Sequence, residues 1–155
     1  MSQGDLLRLV EYGCYLLTCG SHEEINAMPL SLFMQVSFKP PMVMAGVSPQ
    51  RYSHKMIKDS KVFAVVFLRK DQKDLVDRFK LRSDKKELKF KGIEWEKGVT
   101  GAPILKDCLG YIECRVRDRI SCGDHTLFVG EVVLEKVVNP GPLLMTSDLG
   151  KAYTG

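Results

Sequence analysis

Between Tyr111 and Ile120 apolar and charged residues alternate. Ile112, Cys114, Val116 and Ile120 share one parity, and Glu113, Arg115, Arg117 and Arg119 share the other. Period two predicts a strand with one buried and one wet face. The turn sequence Ser121-Cys122-Gly123-Asp124 follows, and His125 to Val138 is again β-rich, so the two runs predict a long antiparallel hairpin. Tyr15 to Cys19, Met42 to Val47 and Val62 to Leu68 are short apolar runs bounded by turn residues, and they read as largely buried strands. Pro40-Pro41 cannot support a regular ladder and belongs at a turn or the start of a strand.

Helical spacing is rarer. Gln3 to Tyr12 predicts a short opening helix with Leu6, Leu7, Leu9 and Val10 on its buried side. Ser53 can cap a helix running to about Ser60, with Tyr52, Met56 and Ile57 facing inward. Asp71 can cap another, with Leu75, Val76 and Phe79 opposite Asp74, Asp77 and Arg78. Many strands with short helices between them predict a mainly β fold, a closed or half-closed barrel. No repeat, low-complexity segment or long linker divides the chain, so residues 1–155 read as one domain.

Composition narrows the function. The net charge of +4 is mild and its basic residues are dispersed, which disfavours nucleic acid and admits a small anionic ligand. No apolar run reaches the roughly 20 residues that cross a bilayer, and residues 1–17 lack a signal peptide's pattern, so a cytoplasmic location is expected. The five cysteines (14, 19, 108, 114 and 122) form no Cys-x-x-Cys, and no His pair has zinc-ligand spacing. They read as free thiols, with Cys122 in its turn the candidate for redox chemistry. Rossmann, Walker, His-Glu-x-x-His and Gly-x-Ser-x-Gly patterns are missing, so a nicotinamide would have to be held outside a Rossmann fold.

Two basic segments could bind an anion. In Val47 to His54 a strand ends and a helix begins at Ser53, where Arg51 and the positive end of the helix dipole suit a phosphate. A capped helix with a solvated arginine would give the same pattern. Arg82 to Lys91 holds Arg82, Lys85, Lys86, Lys89 and Lys91, either a solvated loop or a further source of phosphate contacts. His125, beside Asp124, opens a strand and could either satisfy the hairpin end or face a ligand.

Read in order, these segments resemble the flavin reductase-like family, whose members share an FMN-binding split barrel and include flavoredoxins and ferric reductases. The elements are Asn26-Ala27-Met28, Ser37-Phe38-Lys39-Pro40-Pro41, Tyr52-Ser53-His54, Lys89-Phe90 and, most specific, the run Gly123 to Val132. The resemblance implies a Greek-key-like barrel in which Asn26, Ala27 and Met28 line the isoalloxazine, with Ser31 and Ser37 nearby. It implies that Ser53 and Arg51 bind the FMN phosphate, that Lys89 approaches the phosphate or ribityl chain, and that Tyr153 covers the ring. His125 would be the catalytic residue, facing the flavin where a nicotinamide stacks. A homodimer sharing the flavin pocket is also implied. Two positions depart from the family pattern: Pro29 replaces a frequent Thr, and Leu32 a frequent Trp.

The function expected is an NAD(P)H-dependent reductase passing electrons through FMN to free flavin, ferric iron or another small acceptor. The alternatives are an electron carrier reduced by a partner protein and a non-catalytic flavin-binding module.

Overall fold

The computed structural model describes residues 4–21 and 23–150. Strand β1 (Tyr15–Gly20) turns back as β2 (Ile25–Leu30), and β3 (Phe33–Phe38) turns back as β4 (Pro41–Val47). Helix α1 (Tyr52–Ser60) leads to β5 (Val62–Phe67). Helices α2 (Asp74–Phe79) and α3 (Lys86–Phe90) and the small hairpin β6 (Trp95–Lys97) and β7 (Pro103–Leu105) follow. The chain then enters the long hairpin of β8 (Gly110–Cys122) and β9 (His125–Val137).

Seven strands form one antiparallel sheet in the order β2-β1-β5-β8-β9-β4-β3. Its edge strands, β2 and β3, are joined by Ser31 and Leu32 alone. A flat seven-strand sheet would hold its edges roughly 29 Å apart, at about 4.8 Å per spacing. The link from Leu30 to Phe33 can span only about 11 Å. The sheet therefore rolls up until its edges meet, giving a barrel in which consecutive hairpins sit out of sequence order in Greek-key fashion. At the seam Gly46 donates its N–H to the Leu32 carbonyl at 2.8 Å. A Cβ on Gly46 would lie 2.8 Å from the Leu32 Cβ, so only glycine allows that approach.

Period two divides the strand residues between two cores. Leu17 and Cys19 of β1, Phe63 and Val65 of β5, and Cys114 and Phe128 of the long hairpin fill the barrel interior with Met56 and Ile57 of α1. The opposite parity, Leu16 and Val66, packs outward under Val76 and Phe79 of α2, Phe90 of α3 and Leu105 of β7. β1 and β5 are thus buried on both faces, which is why their sequences read as continuous apolar runs.

The expected strands and hairpin form, while several local expectations do not. The opening segment makes only one 3-10 turn, Leu7–Leu9, and Leu6, Leu7, Leu9 and Val10 are exposed rather than buried. At α1 the residue before the helix is Arg51, and Ser53 lies within the first turn, buried, without capping it. Tyr52 points out, its hydroxyl donating to Glu24. Asp71 falls in a 3-10 turn, Lys70–Gln72, where Gln72 rather than Asp71 makes the cap: its Oε1 accepts the Arg69 N–H at 3.1 Å. Ser121 and Cys122 continue β8, so the turn is only Gly123-Asp124, with Gly123 at φ 60°.

Glu113 breaks the wet-face expectation most sharply. Its carboxylate is buried beneath the loop between β6 and β7, accepting from the N–H groups of Val99 (3.1 Å) and Thr100 (2.9 Å) and from the Thr100 hydroxyl (2.6 Å). Ile120, expected inward, is exposed, because the register shifts between Val116 and Asp118 and changes the parity of the hairpin tip. No helix among the described residues is long and apolar enough to cross a membrane.

Candidate functional site

β2 meets the first turn of α1 on one side and α3 on the other. Asn26 of β2 occupies the centre of this junction. Its amide donates to the Ser53 Oγ at 3.1 Å, and its Oδ1 accepts from the Lys89 Nζ at 3.1 Å. Lys89 also donates to the Ala27 carbonyl at 2.9 Å. All three polar side chains are almost fully buried: Asn26 is 3% exposed, Ser53 1% and Lys89 1%. Because an ammonium can only donate and a hydroxyl can accept, this chain of contacts fixes which way the Asn26 amide points.

The network floors a recess of about 300 Å³ whose rim carries Arg51, Lys80, Arg82 and Asp84. Burial, and then the nearby Arg51 guanidinium, push the Lys89 ammonium down to about 8. Behind it Cys19 is pushed up to about 12 by burial, so this thiol stays protonated. With α1 starting here, the recess combines a helix dipole, a guanidinium and a buried ammonium, a donor set suited to phosphate oxygens.

A second recess of about 740 Å³ adjoins the first, sharing Met28, Gln50, Arg51 and Lys80 with it. Met28, Pro29 and Leu30 supply an apolar wall, Ser31 and Ser48 supply hydroxyls, and Asp124 and His125 stand at the hairpin end. The His125 Nδ1 lies 2.7 Å from the Asp124 Oδ1. The hydrogen bond to His125, and then the electrostatic pull of that ring, lower the Asp124 carboxyl from its ordinary value. With Nδ1 held by the carboxylate, Nε2 is the ring nitrogen left for a ligand.

Asn26, Met28, Ser31, Arg51, Ser53, Lys89 and His125 are therefore gathered around one two-part cleft. Ala27 contributes its carbonyl only, since its side chain packs in the outer core. Ser37 stands apart. It pairs with Met42 at the turn end of β4, whereas the cleft lies at the Gly46 and Ser48 end. Tyr153 lies outside the described residues. Lys80, which borders both recesses, was not anticipated, because its spacing matches that of any solvated lysine after a helix. Among the described residues no His, Cys, Asp and Glu cluster could hold a metal.

The sequence pattern of the flavin reductase like domain matches residues 7–149. The chain belongs to that family. It is 28% identical over 141 residues to the ferric-chelate reductase (NAD(P)H) of Archaeoglobus fulgidus, covering 90% of this chain and 83% of the relative. It is 26% identical over 137 residues to the high molecular weight rubredoxin of Moorella thermoacetica, covering 87% of this chain but 60% of that longer protein. Among solved structures, the Streptomyces globisporus C-1027 NADH:FAD oxidoreductase SgcE6, in complex with NAD and FAD fragments, superimposes with a TM-score of 0.80. That match is 26% identical and covers 90% of this chain and 83% of the neighbour. The barrel is thus the split barrel of flavin reductases.

Proposed function

We propose that this chain is a single-domain, cytoplasmic NAD(P)H-dependent reductase that binds FMN and passes its electrons to free flavin, ferric iron or another small acceptor. The observation that carries this reading is the buried Lys89-Asn26-Ser53 network at the start of α1, opening into the recess that holds His125.

In this reading the phosphate lies in the smaller recess, held by Arg51, Lys89 and the first turn of α1. Met28 and Ser31 border the isoalloxazine in the larger one, while Asn26, expected along the ring, stands in the smaller recess with Ser53 and Lys89. Pro29, lacking a hydroxyl and an N–H, leaves that wall apolar. When bound, the flavin supplies the hydride chemistry, which is why the cleft needs neither a nucleophile nor a metal. His125 holds a hydrogen-bond donor or acceptor at Nε2 where the nicotinamide approaches, and Asp124 fixes the tautomer that decides which. A homodimer completes the site, the second copy closing part of the flavin pocket.

The test is steady-state oxidation of NADH and NADPH with FMN, FAD or a ferric chelate as acceptor. Turnover that requires flavin is expected. A flavin-loaded protein inert to both nicotinamides would favour the electron-carrier reading, which the similarity to the high molecular weight rubredoxin also invites.

A further inference from the structure

Resting on the flavin reading above, we propose that Lys89 must be an ammonium when the flavin phosphate is bound, so that binding the phosphate draws a proton onto this side chain. Lys89 is 1% exposed and lines the floor of the smaller recess. It can donate three hydrogen bonds, and its partners among the described residues are two neutral oxygens, the Asn26 Oδ1 and the Ala27 carbonyl. Among the described residues the third donor has no partner, and no carboxylate forms an ion pair with Lys89. A buried cation in that state is costly, and a phosphate dianion arriving in the recess would supply both the missing acceptor and the missing counter-charge.

The surrounding groups leave Lys89 as the one positioned to titrate. From the residue before α1 it meets Arg51, which raises the cost of its charge, and from β1 it meets Cys19, protonated at ordinary pH. From the segment between α2 and α3 come Lys80, Arg82 and Asp84 at the recess rim, with Arg82 and Asp84 paired at 3.7 Å. Without phosphate the ammonium is already half lost near pH 8. The proton linkage therefore falls in an accessible range, above the phosphate's own second ionisation near 6.

Isothermal titration of the protein with FMN at about pH 8.5, in two buffers of different ionisation enthalpy, reads the proton directly. Uptake of about three quarters of a proton is expected for FMN at that pH, and none for riboflavin, which shares the ring but lacks the phosphate. Between about pH 7 and pH 9, FMN affinity should fall roughly tenfold while riboflavin affinity holds. Lys89→Arg should bind FMN with no uptake, Lys89→Met should bind weakly with no uptake, and Lys80→Gln should keep the uptake. FMN binding to the native protein without proton uptake overturns this inference and leaves the flavin site standing. Failure to bind FMN at any pH overturns both. Uptake persisting in a folded Lys89→Met protein would assign the proton elsewhere and overturn the role of Lys89. Should that variant fail to fold, Lys89→Arg decides instead: its guanidinium is always charged, so uptake that persists in it overturns the role of Lys89 and uptake that vanishes supports it.

Discussion

His125 carries the sharpest consequence at the scale of single residues. Its ring is tethered to Asp124 and set by strand geometry. His125→Ala should therefore leave FMN bound with an unaltered spectrum but slow its reduction 10–100-fold, about 1.4–2.7 kcal/mol of barrier. Stopped-flow rates normalised to bound flavin check this, and an unchanged rate removes His125 from the chemistry. Arg51→Ala should weaken FMN binding by about 1.5–3 kcal/mol and riboflavin binding hardly at all, read by fluorescence titration. Lys89 also shapes the stability of the flavin-free protein. Its folded-state value near 8 lies below the ordinary 10.5, so the unfolded chain binds the extra proton and stability rises as pH climbs through that window. Urea midpoints should show this rise in the native protein and not in Lys89→Met. These residues were legible because they sit in short motifs with few alternatives. The role of Ser53 was less so. A serine at a helix start reads as a cap, and only the fold reveals that its hydroxyl is claimed by Asn26 from another strand.

Elements were legible wherever period and burial agree. The hairpin of β8 and β9 follows from alternation and Gly123, while Glu113 shows where alternation misleads. The loop that buries it is distant in sequence, and its three donors turn a wet position into an anchor. Glu113→Ala should cost roughly 3 kcal/mol or more by stranding those donors, measurable by urea denaturation. α1 is tied to β9 through the His54 Nε2 and the Thr126 Oγ1 at 2.9 Å, with the ring edge-on to Phe128. Burial, then Arg119 and Lys58, lower the His54 pKa from its ordinary 6.5. The unfolded chain therefore gains a proton first as pH falls through 6.5, and the fold loses stability there. His54→Gln should flatten that acid-side loss in thermal melts; an identical pH profile would mean the histidine contributes nothing to it.

At the scale of the molecule, closure of the barrel rests on the two residues between β2 and β3, a constraint invisible until the strand order is known. The edge strand β3 leaves Met34, Val36 and Phe38 exposed, apolar side chains on an open edge that the proposed homodimer would cover. Light scattering should report twice the 17.5 kDa chain mass at micromolar concentration, and a monomer would contradict the shared pocket. The event that makes the molecule a reductase is hydride transfer from a nicotinamide to the bound flavin. Anaerobic mixing of the FMN-loaded protein with NADH and with NADPH follows that event through the loss of oxidised-flavin absorbance. One of the two should bleach the bound flavin in a single exponential, far faster than it reduces free FMN. Flavin that neither nicotinamide reduces, yet dithionite does, would contradict the reductase assignment.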